Sequence, residues 1–98
     1  MMILKRIEVK AEWWAKEVRS MRCCVPGCLN DGVEFHHLLK MRWRDDMGTP
    51  LCKHHHTFAK NSIHIMGDIS FMAFHGFNIY EYWLKVLMPQ YEQMKANR

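Results

Sequence analysis

No apolar run in this chain approaches the length of a membrane span, which excludes a membrane-crossing helix as the basis of its function. The opening Met1-Met2-Ile3-Leu4-Lys5-Arg6 puts its charges after a small apolar group, with no long apolar segment behind them, so no secretory signal is expected. That absence bears on the four cysteines. Without a route to an oxidising compartment, two disulfides explain them less well than metal ligation does. No Cys-x2-Cys pair sits in a strand-to-helix context, which argues against a redox-active thiol protein. Internal repeats and low-complexity tracts are missing as well. A large core is also out of reach: 98 residues make a single domain, 1–98, near the lower size limit for an unaided hydrophobic core. A structural metal helps such a chain more than it helps a large one. The net charge of +4 permits a polyanionic partner such as nucleic acid without identifying it.

What the chain does have is periodicity with clear punctuation. Residues 5–22 read as an amphipathic helix, with Ile7, Ala11, Trp14, Val18 and Met21 on one face and Trp13 off its centre. Pro26-Gly27 and Asn30-Asp31-Gly32 mark tight turns. Val33-Glu34-Phe35-His36 alternates like a short strand. Residues 40–50 look like an exposed loop leading to a brief second strand at Thr49-Pro50-Leu51, with Pro50 at an edge. A helix is expected from Lys53 through Lys60. Asp68 is a candidate cap for a short helix that Gly76 ends. Asn78-Ile79-Tyr80-Glu81 has the form of a capping box, opening a helix with Ile79, Trp83, Val86 and Leu87 inward. Pro89 should kink or end that helix. The C-terminal helices span about 68–94, and their apolar surface suits either a core or a dimer. Met66, Met72 and Met88 read as core filler.

All four cysteines and five of the seven histidines fall between residues 23 and 56. Zinc needs four ligands converging at about 2.0–2.3 Å, conveniently two from each of two turns. Cys23-x4-Cys28 and Cys52-x2-His55 have that form. Cys24 rivals Cys23, and His54 or His56 rivals His55. Cys23 leaves Pro26-Gly27 free to turn. The simplest competing account is buried free cysteines.

His36-His37 follows the strand, where neighbours point to opposite faces. The doublet therefore divides its roles: one ring coordinates a cation, and the other activates water nearby. His56, at the start of the next helix, can complete the cation site with His36. The competing account makes some of these histidines alternative zinc ligands.

The order Cys-x4-Cys, His-His after a strand, then Pro50-Leu51-Cys52 to His56 resembles the HNH endonucleases. More narrowly it is similar to the small phage and prophage nucleases related to the RecA-dependent Ref nuclease. The likeness covers roughly residues 18–77, including Val18-Arg19-Ser20, Val33 to Leu38, Ser62-Ile63-His64, Phe71 and His75-Gly76. It implies an α+β fold: a zinc-stabilised ββα-metal (HNH, His-Me finger) core at about 23–64, with an N-terminal helix and C-terminal helices. It implies His37 as general base, with His36 and His56 on a catalytic Mg²⁺ or Mn²⁺, and 5′-phosphate and 3′-hydroxyl products. Structural Zn²⁺ falls to the cysteine site. The family's middle Asn is missing, and Asp45 or Asp46 is the nearest substitute. His64 is an additional candidate ligand or phosphate contact. His75 suits a structural role beside Gly76, and His54 an exposed one.

Lys40, Arg42, Arg44, Lys53 and Lys60 surround this site in sequence and are candidates for DNA phosphates. Trp43 suits base stacking or anchoring of the loop. The expected activity is DNA phosphodiester hydrolysis in phage or prophage recombination or DNA processing, in the cytoplasm of a bacterial host. The alternative is a non-catalytic zinc module that binds nucleic acid or a recombinase filament.

Overall fold

Apolar residues at helical spacing give α1, Glu12–Arg19, one face to bury: Trp14, Ala15 and Val18 go inside. The computed structural model describes residues 7–98. The helix is shorter than the expected 5–22, whose first two residues lie outside the described ones. Ile7 is exposed rather than inward, and Val9 forms a parallel bridge with Arg44. Long-range hydrogen bonds hold the chain extended here. The Val9 amide donates to the Trp43 carbonyl at 2.9 Å, and the Asp45 amide donates to the Val9 carbonyl at 2.9 Å. The Asp45 carboxylate then accepts the Ala11 amide at 2.8 Å, satisfying one of the free donors at the helix start.

Two antiparallel strands follow, β1 (Val33–His37) and β2 (Gly48–Cys52), in a register that sets Val33 opposite Cys52 and His37 opposite Gly48. β2 is longer than the expected Thr49–Leu51 and buried throughout. In a two-stranded sheet both strands are edges, so Pro50 costs no ladder partner on its free side. Gly48 has a steric reason: a Cβ there would lie 1.8 Å from Cζ of Phe35, whose ring covers it.

The connection between the strands is exposed only in its first half. Lys40 and Arg42 face solvent, whereas Asp46 is buried, contrary to the expected open loop. Arg44 donates to the Asp46 carboxylate from Nε at 2.9 Å and Nη2 at 2.6 Å. Trp83 Nε1 donates to the Asp46 carbonyl at 2.8 Å, tying the loop to the C-terminal helices. The two Arg44 bonds offset the burial cost of the carboxylate.

After β2 the expected helix through Lys60 is a single wide turn of π type, His54–Phe58, ended by extended backbone at Ala59. Two short helices come next, α2 (Ile63–Met66) and α3 (Asp68–His75), the second closed by Gly76 in the left-handed conformation. Asp68 does not cap α3. Gly67 holds the cap position, and the Asp68 carboxylate accepts the Tyr80 hydroxyl instead. Asn78 does cap α4 (Ile79–Tyr82), its Oδ1 accepting the Tyr80 and Glu81 amides at 3.0 Å each. Pro89 neither ends nor breaks the helical path. A wide turn at Trp83–Leu87 precedes it, and it falls in the first turn of α5 (Met88–Ala96), where its missing N–H is tolerated.

The result is an α+β fold with two apolar clusters. One lies under the sheet and joins Val33, Leu38, Leu51, Ile63, Phe71 and Ile79 to Cys23 and Cys52. The other joins α1 to α5 through Trp14, Val18, Leu87 and Tyr91. Trp13 stacks on Tyr91 at 5.5 Å and Trp14 meets the same ring edge-on at 5.6 Å. Leu87 and Tyr91 therefore serve this chain's own core, while Val86, expected inward, is exposed. Met66 and Met72 pack on the first cluster and Met88 on the second. No helix among the described residues is long and apolar enough to cross a membrane.

Candidate metal centres

The knuckle after α1 is bent by Gly27, at φ +81°, a conformation that glycine adopts without a Cβ penalty. Its geometry is set by backbone hydrogen bonds. The Cys23 amide donates to the Asn30 carbonyl, and the Cys28 amide to the Val25 carbonyl, both at 3.0 Å. β2 delivers Cys52 beneath this turn, and the wide turn that follows delivers His55. The ligand atoms of Cys23, Cys28, Cys52 and His55 all lie within 4.8 Å of one another.

Individual spacings lie within about half an ångström of those around a common ion. Cys28 and Cys52 Sγ are 3.9 Å apart, and His55 Nδ1 lies 3.1 Å from Cys52 Sγ and 3.5 Å from Cys23 Sγ. Ligands at tetrahedral zinc distances stand roughly 3.5–3.8 Å from each other. Cys24, the rival to Cys23, is outside the group and packs on the first apolar cluster. His54 is exposed, edge-on to Phe58. Three soft thiols and one imidazole make a donor set that suits zinc, and the cluster can hold a metal such as zinc.

Electrostatics point the same way. Burial pushes the Cys23 thiol up to about 12, a cost that a bound cation would reverse. Burial opposes ionisation of Cys52 too, but hydrogen bonds from Asn30 and the His55 backbone bring that thiol below its ordinary value. Asn30 Nδ2 donates to Cys52 Sγ at 3.5 Å. His55 is lowered mainly by burial, with His75 and His54 adding repulsion. His75 packs edge-on to His55 at 5.1 Å and donates from Nε2 to the Asn61 carbonyl at 2.9 Å, the structural role expected beside Gly76.

The second cluster forms on the other side of the wide turn. Strand alternation sends Glu34 and His36 to one face of β1 and Phe35 and His37 to the other. His56, one residue past the zinc-type ligand, turns to the first of these faces, and α2 brings His64. Ligand atoms of His36, His56 and His64 lie within 4.8 Å of one another. His56 Nε2 is 3.0 Å from His64 Nε2, and His56 Nδ1 donates to Glu34 Oε1 at 2.9 Å. His36 is buried, its Nε2 has no hydrogen-bond partner among the described residues, and its pKa falls to about 4. Burial is the largest cause, followed by repulsion from His56 and His64. His64 is lowered for the same reasons. Both rings are thus neutral near pH 7, the form in which imidazole binds a cation.

His37 stands apart from this trio. Phe35 packs edge-on against it at 4.7 Å, and its Nε2 lies 3.8 Å from Asp45 Oδ1, an ion-pair distance too long for a hydrogen bond. Burial lowers its pKa against the opposing pull of Asp45. The chain then reverses through Leu39 and Lys40, both at positive φ (55° and 57°), which costs on the order of 1–2 kcal/mol per residue. That turn holds Lys40 and Arg42 at the rim of a cleft of about 770 Å³ shared with His36, His37, His56 and His64.

The other candidate phosphate contacts do not line this cleft. Arg44 is committed to Asp46, Lys53 lies 5.9 Å from the Phe58 ring centre, and Lys60 is exposed elsewhere. Trp43 is half-buried, and its carbonyl anchors Val9. Sequence reasoning missed Glu34, Asn30 and Asp68, which lines the cleft. Glu34 was legible in principle, two residues before His36 on an alternating strand; Asn30 and Asp68 carry no local signal. No family model, curated protein or solved structure matches the chain.

Proposed function

We propose that the protein is a divalent-metal-dependent endonuclease of the HNH type, cleaving DNA phosphodiester bonds in a zinc-stabilised ββα-metal frame. One observation carries this reading: a cleft in which three imidazoles converge beside a separate histidine and two basic side chains. The first three, His36, His56 and His64, would hold the cation; the resemblance implies Mg²⁺ or Mn²⁺. The unpartnered, buried Nε2 of His36 and the nitrogen-only donor set fit a bound cation. When bound, it supplies positive charge to offset the charge that develops on phosphate oxygens.

The rest falls to the chain's own residues. His37, neutral because it is partly buried, accepts a proton from the attacking water. Asp45, near the other side of that ring and fixed by the Ala11 amide, limits how it turns. It occupies the part left by the family's missing Asn. Lys40 and Arg42 neutralise neighbouring backbone phosphates. The water oxygen bonds to phosphorus as the P–O3′ bond breaks, leaving a 5′-phosphate and a 3′ oxygen that takes a proton from solvent to become the hydroxyl.

The test is nicking of supercoiled plasmid by wild type and His37→Ala, with and without EDTA. Loss of a general base should lower the rate about 10²- to 10⁴-fold while zinc content and fold stay unchanged. Equal nicking by both proteins, purified free of host nucleases, would sink the mechanism. Nucleic-acid binding without nicking by wild type would favour the competing reading, a non-catalytic zinc module for nucleic acid or a recombinase filament.

A further inference from the structure

We infer that the His36–His56–His64 site selects a borderline transition-metal ion, of the Fe²⁺ to Zn²⁺ series, over Mg²⁺, and that Glu34 sets the ligating tautomer of His56. This departs from the expected Mg²⁺ or Mn²⁺ and rests on the proposed cation site, but it can be read without any cleavage.

The donors decide the class of ion. All three are imidazole nitrogens, and no carboxylate among the described residues joins the group. Mg²⁺ takes oxygen ligands and keeps several waters, whereas imidazole suits Zn²⁺, Ni²⁺ and their neighbours. Three protein ligands with an open side is the arrangement found where a metal does chemistry. Here the open side faces the cleft.

Glu34 supplies the second observation. A carboxylate only accepts, so the 2.9 Å contact places the proton of neutral His56 on Nδ1. The Nε2 lone pair is then free to face His64 Nε2, 3.0 Å away. Two nitrogens bound to one ion at about 2.0–2.1 Å stand roughly 2.9–3.4 Å apart. His36 adds a buried nitrogen with no hydrogen-bond partner among the described residues. A carboxylate behind a ligating imidazole fixes its orientation and raises its basicity. Because the three rings are neutral ligands, the ion keeps its full charge toward a phosphodiester.

Titration of the zinc-loaded protein with Co²⁺, after selective removal of the second ion by a mild chelator, tests this. Wild type should take up one Co²⁺ per chain with visible absorption but no thiolate charge-transfer band. His64→Ala should lose that uptake, and Glu34→Gln should weaken it about 10- to 100-fold, both with unchanged zinc content and far-ultraviolet dichroism. Millimolar Mg²⁺ should not displace the Co²⁺. Absence of uptake by wild type, undiminished affinity in both variants, or ready displacement by Mg²⁺ would overturn the inference. Wild type that binds Co²⁺ yet nicks no DNA keeps the inference and loses the nuclease reading. Nicking that needs only Mg²⁺, with no Co²⁺ uptake, does the reverse.

Discussion

Two clusters of side chains that could each hold a metal ion sit on either side of one turn, and they differ in donor set, burial and openness. The cluster of Cys23, Cys28, Cys52 and His55 joins the knuckle to the end of β2, with two of its members buried and two half-buried. The cluster of His36, His56 and His64 runs from buried to exposed and opens on a cleft. Thiolates neutralise an ion and close its coordination; neutral imidazoles leave its charge available. The adjacent residues His55 and His56 divide between the two. A wide turn, rather than a regular helix, directs them to different centres.

The largest expected effect tests whether the first cluster holds the fold. Cys52 touches both the apolar cluster under the sheet and the thiolate group. Cys52→Ser should release zinc and cost several kcal/mol of stability, because binding free energy at such sites is coupled to folding. Thermal unfolding followed by dichroism, with zinc measured on the same samples, checks it. Zinc retained at one per chain with an unchanged melting temperature would remove the structural role. His64→Ala, by contrast, should leave the melt of the zinc-loaded protein nearly unchanged.

A smaller effect separates the clusters by pH. His36 has a folded pKa near 4 against an ordinary 6.5, so the unfolded chain takes up its proton first as pH falls. The stability linked to His36 is therefore complete above about 6.5 and declines as pH falls toward 4. The loss is at most about 3 kcal/mol. In protein stripped at the second site, His36→Gln should flatten the fall in unfolding free energy across this window. An identical slope in both proteins would mean that His36 is not held neutral by its surroundings.

The comparison also explains how much the sequence could tell. Spacing picks out the two ligand regions because each draws on short local motifs, and room for the Pro26-Gly27 turn favours Cys23 over Cys24, but it leaves His54, His55 and His56 as rivals for the zinc position. The Asn78 cap is local and readable for the same reason. What was not legible depends on contacts between distant segments. α1 starts at Glu12 because Asp45 and Trp43 hold the residues before it. The loop at 40–50 is half-buried because Arg44 and Trp83 enclose Asp46. Pro89 is absorbed by a wide turn that no propensity signals. The Glu34–His56 pair spans β1 and the turn after β2, and becomes visible only when the two are placed together.

The smallest predicted effect concerns charge at the cleft and pairs Arg42 with Arg44. The two lie two residues apart and look equivalent in sequence, yet Arg42 is exposed on the rim while Arg44 is bound bidentately to buried Asp46. Arg42→Ala should weaken DNA binding about equally for all sequences and reduce the magnitude of the salt-dependence slope by about 1, with no change in the melt. Arg44→Ala should leave that slope alone and instead lower stability by about 1–3 kcal/mol, because it strands the Asp46 carboxylate. Affinity measured across a salt series for both variants decides the matter. An unchanged slope in Arg42→Ala, or a lowered one in Arg44→Ala, would mean that DNA lies against a different face from the imidazole cleft, and the two clusters would then lose their assigned division of labour.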